Sequence, residues 1–153
     1  MKFVGTDIVR ASDNASAFAA GGNLASASAA LGADVQMPTS NAWVDGPSLA
    51  LAAGTWLVQA QATFQRNATT AAHYGVRVSD GATHYSSGQS YQASFNGHTA
   101  QMSLSAIVTL AGPATIKLQG MTSAGSTSSL IKAAIPASAS GTTATRIAAI
   151  QIG

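Results

Sequence analysis

The chain has 153 residues, a formal net charge of +2, no cysteine and no glutamate, and only 8% of its residues are charged. An ordinary soluble domain carries about 25% charged residues. Without cysteine there is no disulfide framework, thiolate metal site or cysteine nucleophile. The seven Lys and Arg are scattered singly, so a nucleic-acid reading, which needs them clustered, gains little from them.

More than half of the chain is Ala, Ser, Thr or Gly. Disorder pairs low hydrophobicity with high net charge, and this sequence has neither, so it predicts one folded domain with its own core. Residues 1–33 form a segment of different texture: a short strand over Phe3 to Val9, then small residues. An aspartate at position 7 precedes any apolar run, so no signal peptide is expected. The uncharged run Asn14–Leu31 has only Phe18, Leu24 and Leu31 as bulky side chains, too few to drive a membrane span. Ala17, Leu24 and Leu31 fall at heptad spacing and allow a brief trimeric helix; an extended arm packed on a neighbour is the alternative favoured here. Phe3, Val4, Phe18, Leu24 and Leu31 are the side chains expected to attach such an arm to another protein.

Residues 34–153 read as β structure almost throughout. Trp56, Val58, Ala60, Ala62 and Phe64 alternate with Gln59, Gln61, Thr63 and Gln65. Tyr74, Val76 and Val78 follow on one face of the next strand, and Asp80-Gly81 supplies a hairpin turn. Met102, Leu104, Ala106, Val108 and Leu110 alternate with Gln101, Ser103, Ser105 and Thr109. Asn96-Gly97, Gly112-Pro113 and Ala124-Gly125 punctuate the runs where tight turns need a permissive backbone. The last strand, Thr145 to Ile152, is apolar on both sides: Ala148, Ile150 and Ile152 on one, Ile147 and Ala149 on the other. Antiparallel strands usually keep one wet face, so this one calls for a second dry surrounding besides its own core. Ile147, Ala149, Ile150 and Ile152 are therefore expected at a contact between copies of the chain. Short, regularly spaced strands with such turns predict an antiparallel jelly-roll β-sandwich.

The stretch Trp43-Val44-Asp45-Gly46-Pro47, a Gly-centred turn, followed by Gly54-Thr55-Trp56 opening a long strand, resembles the early strands of tumour-necrosis-factor-like jelly rolls. Thr109 to Leu118 is similar to that family's later strand, Gly turn, strand unit, although Pro113-Ala114 stands where an acidic residue often follows the glycine. The closing nine residues resemble its last strand. The family includes the globular heads of complement components and many bacteriophage fibre tips and head-decoration proteins. The resemblance implies a homotrimer with the inner sheets around a three-fold axis, and its phage members are virion components without catalysis.

Chemistry-bearing patterns are sparse. His73, His84 and His98 match no ligand spacing, and no EF-hand pattern is present; a single histidine repeated around a trimer axis is the one ion site left open. No Gly-x-Ser-x-Gly occurs, and the five aspartates form no close pair for glycoside hydrolysis. No cofactor is expected. Tyr85, Tyr91 and His98 lie in a polar, aromatic-bearing stretch similar to surfaces that stack on sugars; ordinary strands with an exposed loop are the plainer reading. The expectation is thus a non-enzymatic virion protein of a bacteriophage. In the favoured form it is a trimeric capsid decoration or cement protein on the head, bound through residues 1–33 to the major capsid protein or another virion protein. The alternative is a tail-fibre tip that recognises host surface polysaccharide.

Overall fold

A computed structural model describes residues 24–93, 97–134 and 143–153. Among these residues, ten strands run in chain order: β1 (Ser26–Ala30), β2 (Val35–Met37), β3 (Val44–Leu51), β4 (Gly54–Arg66), β5 (Ala72–Ser79), β6 (His84–Gln92), β7 (His98–Leu110), β8 (Ala114–Thr122), β9 (Ser126–Ile131) and β10 (Arg146–Gln151). All pairings are antiparallel, and they make a jelly-roll-like sandwich of two sheets. The first sheet follows the order β1-β10-β4-β9-β2, with β7 along the free edge of β4; the second follows β3-β8-β5-β6.

The 13-residue β4 organises the first sheet. One edge pairs with β7 over its whole length; the other pairs with β10 from Trp56 to Gln61 and with β9 from Phe64 to Arg66. Its even-numbered side chains, Trp56 to Phe64, point inward and meet Tyr74, Val76 and Val78 of β5 and Ile116 and Leu118 of β8 in one buried core. Trp56 satisfies its indole by donating Nε1–H to the carbonyl of Ala52 at 3.1 Å. Alternation places these residues inside because each wall of a sandwich has one dry face.

Gly54 opens β4 at φ 137°, and a Cβ there would lie 2.5 Å from Gln151 Nε2 and 3.0 Å from the carbonyl oxygen of Gly153. That crowding reflects how tightly the carboxyl end is tied down: the Thr55 amide donates to the carbonyl of Gly153, and the Ile152 amide to that of Thr55.

Three expectations change. Gly46-Pro47 is not a turn; it is an irregularity inside β3, where the register with β8 shifts between Asp45 and Ser48. Pro47 is tolerated there because β3 is an edge strand and owes no ladder bond on its outer side. The boundary at residue 33 also moves. β1 lies within the segment read as an arm, yet it pairs with β10 from Ser26↔Ile150 to Ala30↔Arg146, and Leu31 packs against the core rather than standing free for attachment. Ile147 and Ala149, expected at a contact between copies, are buried in the chain's own core, because they fall on the inward parity of β10. The strand expected over Phe3 to Val9 and the attachment candidates Phe3, Val4 and Phe18 lie outside the described residues.

Candidate assembly face

The sandwich has two outer faces with opposite chemistry. On the outside of the β3-β8-β5-β6 sheet, the charged groups are engaged with one another. Lys117 Nζ donates to Asp45 Oδ2 and Gln119 Nε2 to Asp45 Oδ1, both at 2.6 Å. Arg77 Nε donates to Gln119 Oε1 at 2.7 Å, and its guanidinium sits 4.2 Å from the centre of the Trp43 ring. Arg77 Nη1 lies 2.6 Å from His84 Nε2. The ammonium of Lys117 and the amide of Gln119 hold the Asp45 carboxyl below its ordinary value of 3.8, against a smaller opposing effect of burial. A carboxylate with a depressed folded pKa stabilises the fold above the unfolded pKa and loses that contribution as pH falls through the folded one. Stability is therefore expected to drop as pH falls below about 4, and Asp45→Asn should flatten part of that drop in urea melts at each pH.

The outside of the other sheet carries almost no charge. β10, β4 and β7 lie side by side, and directly opposed residues share a face. Ile150 opposes Leu57, and Leu57 opposes Ile107, so the three form one apolar row across three strands. Ile107 is 68% exposed and Ile150 45% exposed. Ile152, 51% exposed, sits beside Thr55 and extends the patch toward the carboxyl end. The next row is Ser28, Ala148, Gln59 and Ser105, followed by Ala30, Arg146, Gln61 and Ser103. These last two rows line a shallow trough. Arg146 is the one charged side chain on the β1, β10, β4 and β7 part of this face among the described residues; the Asp34–Lys132 ion pair lies beyond it, at the β2–β9 end. A solvent-facing antiparallel sheet normally carries polar and charged side chains, and contiguous exposed apolar patches mark interaction sites.

Of the four residues expected at a contact between copies, Ile150 and Ile152 lie on this face. Leu57 and Ile107 were missed, although each breaks the polar parity of its strand: Leu57 shares a side with Gln59 and Gln61, and Ile107 with Ser103 and Ser105. The proposed sugar-binding trio is not assembled. Tyr91 is exposed on the outside of β6, its ring 5.0 Å from that of His73. Tyr85 instead packs partly against the core and donates its hydroxyl to Asp80 Oδ2 at 2.7 Å. The backbone of His98 belongs to β7, in the other sheet. Tyr85 escapes the parity argument because the β5–β6 register shifts between Val78 and Ser79, leaving it as the extra residue of a bulge. Leu24 is exposed ahead of β1.

No family model matches the sequence, and the curated proteins contain no significant match. The fold is similar to that of a chain in the T13 viral particle of IBDV, infectious bursal disease virus, with a TM-score of 0.51 and 15% identity over 84% of this chain and 31% of that one. The chain thus spans less than a third of the viral chain it matches. A lower TM-score of 0.39, at 14% identity, relates it to Eiger TNF from S. frugiperda over 84% of this chain and 85% of that one. The C-terminal CBM6 of LamC from Zobellia galactanivorans gives a TM-score of 0.36 at 14% identity, covering 86% of this chain and 95% of that one.

Proposed function

We propose that this chain is a non-enzymatic structural protein of a bacteriophage particle, a homotrimer that decorates or cements the head. The carrying observation is the outer face of the β1-β10-β4-β7 sheet, whose one charge among the described residues is Arg146, with its apolar Ile150–Leu57–Ile107 row. Three such faces turned toward a common axis close a ring and leave no unpaired copy. The opposite face, with its engaged Asp45, Lys117 and Arg77, stays in water. At about 25 cal/mol per Å2, a few hundred Å2 of apolar surface per subunit contributes several kcal/mol before association costs. The part of the amino-terminal segment ahead of β1 attaches the trimer to the major capsid protein or another virion protein. Neither nucleic acid nor membrane is a partner. A jelly roll similar to one in a viral particle agrees with this reading at the level of fold. Light scattering at micromolar concentration should give three times the chain mass, and immunogold labelling of intact particles should mark the head. A monomer with unlabelled heads would overturn the proposal.

A tail-fibre tip that binds host polysaccharide is the second reading, favoured by one observation: the exposed Tyr91–His73 ring pair, with Gln89 Nε2 3.0 Å from His73 Nδ1. Aromatic faces beside hydrogen-bonding groups suit sugars. It predicts glycan-array binding that Tyr91→Ala reduces at least ten-fold; an array with no signal for the wild-type chain sinks it.

A further inference from the structure

Arg66 closes β4 on the inward parity, directly after Phe64, where the two sheets meet Tyr74. Its side chain is only 8% exposed, and its Nε and Nη1 have no hydrogen-bond partner. The Tyr74 hydroxyl beside it is also fully buried and without a partner. Taking a guanidinium out of water costs several kcal/mol unless a negative charge accompanies it.

The chain's carboxylates are easily counted. There is no glutamate, and the aspartates are Asp7, Asp13, Asp34, Asp45 and Asp80. Asp34 is paired with Lys132 and Asp45 with Lys117. Asp80 caps its own turn, accepting from the amides of Ala82 and Thr83 and from the Tyr85 hydroxyl. The carboxyl terminus lies against Thr55, at the opposite end of β4. Among the described residues, none therefore neutralises Arg66. What remains at the site is a guanidinium whose Nε and Nη1 have no acceptor, beside a phenol whose polar neighbours are the neutral hydroxyls of Ser129 and Thr122. Burial raises the Tyr74 pKa, while Arg66 and the hydroxyls of Ser129 and Thr122 pull the other way, so the phenol keeps its proton at neutral pH.

We propose that Arg66 and Tyr74 bind a small monovalent inorganic anion between the sheets, at the end of the sandwich where β4 meets β9. The anion supplies the missing charge and accepts from both groups, which makes stability depend on which anion is present and not only on ionic strength.

The test uses the full chain in chloride or gluconate at equal ionic strength. In the wild type, each ten-fold rise in chloride above its dissociation constant should raise the melting midpoint by about 4 °C, with no such rise in gluconate. Tyr74→Phe should shrink the chloride effect. Arg66→Met, which keeps the stem and removes the charge, should abolish it and melt no lower than wild type in gluconate. Crystals soaked in bromide should show an anomalous peak beside the guanidinium, a readout that holds even where a variant fails to fold. Equal midpoints in the two salts, or no bromide peak, would overturn the proposal. So would a loss of stability in Asp7→Asn or Asp13→Asn with no chloride dependence, because the counter-charge would then come from the chain itself.

Discussion

Ile150→Lys and Ile107→Lys should each yield a folded monomer at about 10 micromolar, where the proposed assembly has the wild-type chain sedimenting as a trimer. Both side chains point away from the core, in one row with Leu57. In a lone subunit a lysine there meets water, and exposed substitutions of this kind typically change stability by about 0.5 kcal/mol or less. In the assembly the same lysine removes an apolar contact worth about 1.5–3 kcal/mol and brings like charges together where water is excluded. Three copies repeat that penalty around the axis, so the association constant should fall by at least about a hundred-fold, or 2.7 kcal/mol per contact. Thr115→Lys, on the exposed outside of β8, is the control and should leave the trimer intact. Trimers that persist in both isoleucine variants, with circular dichroism unchanged, would move the contact elsewhere.

Those two residues mark what the sequence disclosed and what it concealed. Strands β4, β5 and β7 are plain because bulky apolar side chains fill the inward parity and polar ones the outward. β10 is plain as a strand, but its two dry sides cannot say which one the chain keeps for itself. Pairing settles that: Ile147 and Ala149 face the core, while Ile150 continues a row begun by Ile107 on a strand about forty residues away. β1 was invisible because Ala27 and Ala29, which pack on the core, hardly differ in size from Ser26 and Ser28, which do not. β6 hid differently. Its inward positions include Gly88, placed where a Cβ would lie 3.3 Å from Leu104 Cδ2, so no apolar alternation develops. Arg66 extends a strand whose other inward residues are apolar, and its burial follows from three-dimensional pairing with β7 and β9.

Phe64→Ala should lower stability by about 3–5 kcal/mol, the largest single effect expected in the core. Phe64 is fully buried, its ring is 5.1 Å from that of Tyr74, and it fills the space left by Gly120 on the opposite sheet. A Cβ on Gly120 would lie 2.7 Å from Phe64 Cε1 and 2.9 Å from Ile131 Cδ1. Gly120→Ala alone should therefore cost about 1–3 kcal/mol through overpacking. Combined with Phe64→Ala, the new methyl enters the vacated space instead of striking the ring. The double variant should then be more stable than the sum of the two single losses by about 1 kcal/mol or more, read from urea midpoints at constant slope. Additivity within about 0.5 kcal/mol would mean that ring and glycine do not share that space. The same variants separate folding from assembly. Phe64→Ala acts on the inner side of β4, so it should destabilise each subunit yet leave the surviving folded population trimeric, whereas the lysine variants on the outer side should do the reverse.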